Sequence, residues 1–241
     1  MKAEPETSVR EARTAADEPH VDAPRYDAYL VIHKGLRALT TDVLVRAGRM
    51  DPFDEDDTAE VVARVRELIA LAGSHLELEN RFIHPAMESR APGSTAGVEA
   101  DHRSHREALA RLESGCRAVA STAAAARASA ALELYRSLAL FIAEDLVHMH
   151  AEETENNAVL WATHSDAEIV ALVDRLVAAV PPEKNATYVR WMVSASAPGE
   201  RARLLGHART KMPAAAFAGV LQGALSQLDG KDRVKLEAAL A

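Results

Sequence analysis

The chain has 241 residues, a formal net charge of −8 and a pI near 5.7, with 48% hydrophobic residues, 4% aromatic residues and a single cysteine. That length can bury a core without disulfide or metal staples, the acidic balance gives no reason to approach a phosphate backbone, and Cys116 alone excludes an internal disulfide, a Cys-based zinc site and a Cys-ligated cluster. Nucleic acid is therefore not an expected partner. No stretch approaches the ~20 apolar residues of a membrane span, and Glu4, Glu6, Glu11 and Asp17 stand where a signal peptide would be apolar, so no membrane contact and a cytoplasmic location are expected.

Alanine, leucine, arginine and glutamate dominate and β-branched runs are few, so the fold class predicted is all-α. Residues 1–22 are polar, charged and broken by Pro5 and Pro19; they read as a disordered tail containing His20. The first helix is expected from Asp22 to Pro24, an N-cap and first-turn pair, up to Gly48, with the inward stripe Tyr26, Tyr29, His33, Leu36, Thr40 and Val43. A turn with Pro52 and an acidic run precedes a second helix over about 56–89, whose stripe is Val61, Val65, Leu68, Ala72, His75, Glu79, Phe82 and Ala86.

The segment 91–97 is a turn by composition, and a third helix comes next with Val98, His102, His105, Leu109, Leu112, Cys116 and Val119 on one face. The alanine-rich stretch hides the next turn, placed near 121–127. The fourth helix carries Leu134, Leu138, Phe141, Asp145, His148, Glu152, Glu155 and Val159 in the same alternation. Four long helices, each with one apolar stripe and short connections, predict an up-down-up-down four-helix bundle over residues 23–162. Beyond Trp161, prolines divide residues 163–241 into three or four short helices, a C-terminal extension suited to packing and a candidate surface for a homodimer.

Two pairs carry the chemistry. His75-x-x-x-Glu79 recurs as His148-x-x-x-Glu152, and a spacing of four puts both side chains of a pair on one helix face. A lone pair of this kind arises by chance; both pairs here lie on core stripes, where an ionised carboxylate needs a cation. His33 and His102 add imidazoles from the other two helices. Six nitrogen and oxygen ligands exceed one tetrahedral zinc and suit two metals, with Glu79 and Glu152 as bridges; iron is the metal expected, zinc or manganese the alternatives. His105 is a seventh candidate, as a ligand or as a core histidine. Asp145 could hold a ligand imidazole or ligate directly, and Tyr29 could donate to a bound oxygen species or serve as a core tyrosine. His84, nine residues after His75, and His150, two after His148, fall on the far sides of their helices; His164 and His207 lack partners at ligand spacing.

This order of His, His-x-x-x-Glu, His, His-x-x-x-Glu on four successive helices resembles the hemerythrin-like superfamily over about residues 24–162. The resemblance implies the ligand roles of His33, His75, Glu79, His102, His148 and Glu152, and a di-iron centre with an oxo or hydroxo bridge. Oxygen-carrying hemerythrins have His-x-x-x-His on the third helix and end in His-x-x-x-x-Asp. The spacings His102-x-x-His105 and His148-x-x-x-Glu152 are more similar to the branch that includes iron-centre repair proteins. The functions implied are reaction with, or sensing of, dioxygen, peroxide or nitric oxide, with iron storage or delivery and a structural zinc or mixed-metal site as alternatives.

Overall fold

The computed structural model describes residues 25–241; the expected tail, His20 and the Asp22 cap lie outside the described residues. Helix α1 spans Leu30–Gly48 with Tyr29 at its N-cap position, starting later than expected; the turn ahead of it is held by Asp27, whose Oδ1 accepts the backbone N–H groups of Tyr29 and Leu30 at 2.9 Å each. Tyr26 precedes the helix and is 37% exposed, so it leaves the predicted inward stripe, while Tyr29, His33, Leu36, Thr40 and Val43 are all buried. Helix α2 spans Glu55–Leu78. Asp54 caps it, accepting from the N–H groups of Asp56 and Asp57, and three acidic residues occupy its electropositive first turn.

At its end α2 passes through a π turn, Glu79–Ile83, into α3, His84–Arg90. Helix α4 (Ala96–Ser121) and helix α5 (Ala124–Ala151) are separated by Thr122 and Ala123 alone, a break inside the alanine-rich window. Helix α5 in turn passes through a second π turn, Glu152–Asn156, into α6, Asn157–Thr163. Helices α1 and α4 each pack against both α2 and α5, closing a ring of four. Its core is aliphatic, built from residues such as Leu39, Val65, Leu68, Leu112 and Leu138.

The π turns change which residues face inward. In each, the amide five residues on, rather than four, donates to the glutamate carbonyl: His84 N–H to Glu79 and Asn157 N–H to Glu152. One residue is thereby added to the turn, and everything beyond it rotates by about 100° relative to an unbroken α-helix. The predicted continuations Phe82, Ala86, Glu155 and Val159 are accordingly not in the buried set. Ile83, Met87, Asn156 and Leu160 are buried in their stead. Pro85 gives the first turn a local cause, since a proline there lacks the amide that an unbroken helix would use and crowds the carbonyl four residues back.

Five more helices complete the chain, rather than three or four: α7 (Asp166–Ala178), α8 (Pro182–Ala195), α9 (Pro198–Lys211), α10 (Ala214–Leu225) and α11 (Gly230–Leu240). The break missed in the sequence lies between α10 and α11, where Asp229 caps α11 without any proline. Helix α7 covers the end of the bundle beyond the π turns, with Ile169 and Leu172 packed among Tyr29, Ile83, Met87 and Leu160. Helix α8 lies along α1. A Cβ built on Gly35 would sit 2.9 Å from the Met192 amide nitrogen, so the missing side chain is what lets α8 approach this closely. The Tyr188 hydroxyl donates to the Leu71 carbonyl at 2.5 Å, and Arg190 and Trp191 both donate to Glu67. A second apolar cluster, including Val193, Leu205, Phe217 and Leu236, joins α8 to the last three helices. Among the described residues no helix is long and apolar enough to cross a membrane.

Candidate metal centre

Four helices converge on one polar cluster inside this aliphatic frame. His33 comes from α1, His75 from the last turn of α2, Glu79 from the π turn after it, His102 from α4, His148 from α5 and Glu152 from the second π turn. Their donor atoms form two groups, His33, His75, Glu79 and Glu152, and Glu79, His102, His148 and Glu152, each with its donors within 4.8 Å of one another. Both carboxylates belong to both groups. The residues are almost wholly enclosed: His33, His102 and Glu152 are 0% exposed and Glu79 is 1%.

The imidazoles are oriented from outside. His33 Nδ1 lies 3.1 Å from Glu153 Oε1, and His102 Nδ1 lies 3.0 Å from Asn80 Oδ1. Both partners are acceptors, so each Nδ1 carries the proton and each Nε2 turns a lone pair inward. His148 Nδ1 faces Asp101 Oδ2 at 3.6 Å. Inside, His33 Nε2 and His75 Nε2 are 3.1 Å apart, as are His102 Nε2 and His148 Nε2. Two donors adjacent on one ion, each at about 2.1 Å from it, are separated by roughly 3.0 Å. The two imidazole pairs have the spacing of neighbouring ligands.

The carboxylates complete the fit. All four oxygens of Glu79 and Glu152 are buried and none makes a hydrogen bond, although imidazole nitrogens stand 3.1–3.7 Å away. Burial and the neighbouring Glu152 charge push the Glu79 carboxyl well above its usual range. Glu152 moves the other way: burial works against ionisation, but the imidazoles of His102, His33 and His148 set against it outweigh burial and hold the group low. Burial drives His75 well below the usual histidine value, helped by His33, and takes His148 down to about 4. The uncharged imidazoles of His75 and His148, and a carboxylate pair that cannot share the cavity as two free anions, call for cations.

The remaining sequence candidates divide between the margin of this centre and the surface. His105 is buried but outside both groups; its Nδ1 donates to the Asp101 carbonyl at 2.8 Å and its Nε2 lies 3.8 Å from Asp145 Oδ1. Asp145, buried, faces His105, and the loss of solvent raises its carboxyl to about 6. Tyr29 is buried beside His33, ring centroids 5.2 Å apart, and its hydroxyl accepts from Asn156 Nδ2 at 3.3 Å. His150 is exposed, and His207 pairs at the surface with Asp174 at 2.7 Å. His84 departs from expectation. It is 3% exposed and its ring lies 4.9 Å from that of His102, because the π turn rotates α3 toward the centre. Asn80 and Glu153, which orient His102 and His33, and Asp101, which faces His148, were also missed; their only signal is adjacency, each standing one residue from Glu79, His102 or Glu152.

A bundle of this form, with a His donor from each of four helices and a Glu donor from each π turn, defines a cation-binding protein of the helical class. A family model described as the Hemerythrin HHE cation binding domain matches residues 26–160, and the chain belongs to that family. No curated protein and no solved structure matches the chain.

Proposed function

We propose that the centre holds two iron ions, one by His33 and His75 and the other by His102 and His148, with Glu79 and Glu152 bridging them, and that the protein reacts with or senses dioxygen, peroxide or nitric oxide. The observation that carries this reading is the sharing of both buried carboxylates by two four-donor groups. Nitrogen and oxygen donors suit iron, and four protein donors per ion leave positions for a small exogenous ligand. Iron so held would supply redox chemistry to molecules small enough to enter a bundle core that includes Leu36, Leu68 and Leu138. The protein's own part is to fix the imidazoles through Glu153 and Asn80, to exclude bulk water and to present the bridging carboxylates.

Loading the full chain anaerobically with ferrous iron and then admitting air tests the reading, with metal content and visible absorption followed together. Two irons per chain and a new visible band on oxidation are the expected result. Iron passed to an acceptor without such a band would favour iron delivery, and tight zinc with no redox response a structural role; either overturns the proposal. Glu79→Ala and Glu152→Ala should each reduce the content from two ions to at most one. Full occupancy in both variants would exclude bridging.

A further inference from the structure

Among the described residues, His84 is the only histidine with both ring nitrogens buried and without a hydrogen-bond partner. Burying unpartnered polar atoms is a cost that a phenylalanine in the same place would not carry. The imidazole therefore calls for something that the surrounding protein atoms do not supply. Its position indicates what. The ring centroid lies 4.9 Å from His102 with the planes 30° apart. That spacing makes His84 an immediate neighbour of the centre, as His105 is of His148 at 4.7 Å, and the free ring nitrogens are what set His84 apart.

The donor count points the same way. The His102 side offers four donors, two of them shared, whereas an octahedral ion has six positions. His105, the candidate singled out in the sequence, is engaged elsewhere, with Nδ1 on the Asp101 carbonyl and Nε2 toward Asp145. His84 has no such engagement. Its inward position is itself built by the π turn, whose extra residue turns α3 toward the centre.

We propose that His84 is a further imidazole ligand on the His102 and His148 side of the centre, in the place for which the sequence offered His105 as a candidate. The inference rests on the two-ion reading above. His84 lies outside the four-donor group, so its side chain swings toward the ion on binding, and the two ions are then held unequally.

The test uses the full chain loaded with cobalt(II), with release of each ion to a chelator followed alongside the paramagnetically shifted imidazole N–H resonances. In His84→Phe, which keeps the ring volume, one ion is expected to leave at least about tenfold faster, the other at its original rate, and one shifted resonance is lost. His105→Phe is expected to leave both release rates unchanged. Unaltered release and an unaltered set of resonances in His84→Phe would falsify the assignment, as would loss of a resonance in His105→Phe alone. His84→Gln, small and polar, carries the same expectations should the phenylalanine variant not fold. A wild-type chain that binds fewer than two cobalt ions overturns the two-ion reading instead, a failure separate from that of His84.

Discussion

Asn80 and Glu153 touch no proposed ion, yet they decide which nitrogen of His102 and His33 points inward. Removing such an acceptor frees the ring to flip or to change tautomer, which typically lowers metal affinity by about 10- to 100-fold. Asn80→Ala and Glu153→Ala should each show a loss of that size in chelator competition; wild-type affinity in both would mean that the rings are held by packing alone. Glu153 is also clamped by Arg37 through two hydrogen bonds of 2.5 and 2.9 Å. Although burial opposes its ionisation, donation from His33 and Arg37 holds the carboxyl down to about 2, so the acceptor stays charged at any ordinary pH. Asp145 behaves oppositely. With its carboxyl raised by burial from 3.8 to about 6, the group is protonated in both folded and unfolded chains below pH 4 and ionised in both above pH 6. The metal-free fold therefore loses stability as pH rises between those values. Asp145→Asn should stabilise the metal-free protein at pH 7, by at most about 3 kcal/mol, with the gain vanishing near pH 4 in denaturant titrations.

The helices themselves were legible because each keeps one apolar face through several turns, and the His75, Glu79, His148 and Glu152 spacings lie wholly upstream of any disturbance. Positions after the two glutamates were not. A π turn leaves the local composition helical and only shifts the phase of the residues beyond it, so periodicity projected through Glu79 puts Phe82 inward and His84 outward, whereas Ile83 and His84 are buried. Pro85 was the visible warning at the first π turn; the second, at Glu152–Asn156, has no proline to announce it. Its added residue makes an uncommon experiment informative. Deleting the exposed Thr154 should convert the turn to ordinary α-helix while keeping Asn156, Asn157 and Leu160 inward. Deleting the exposed Ser137 from the regular part of α5 instead rotates Leu138, Phe141 and His148 off the core. The Thr154 deletion is expected to cost roughly 2 kcal/mol and the Ser137 deletion to abolish cooperative unfolding. Equal losses in thermal melts would refute the phase argument.

At the level of the whole molecule, the extension meets the bundle twice, through α7 at its end and through α8 along α1. Gly35→Ala would drive a Cβ into the Met192 backbone, 2.9 Å away, with no flexible side-chain end to yield. A loss of about 1–3 kcal/mol is expected, together with faster proteolytic clipping of residues 182–241; unchanged clipping would show that α8 accommodates the methyl group. The sequence divided the chain at residue 162 because the ligand pattern stops there and prolines begin. It could not show that a glycine on the first helix waits for the eighth. That wait has a consequence for the order of events on the ribosome. The four helices that carry the ligands are complete once α6 has emerged, but the flank of α1 around Gly35 stays uncovered until Met192 emerges, 157 residues later (192 − 35). At about 5–20 residues per second, the nascent chain exposes that face for roughly 8–30 s, a window in which chaperones, or a neighbouring nascent chain, have access to a surface the finished protein no longer offers.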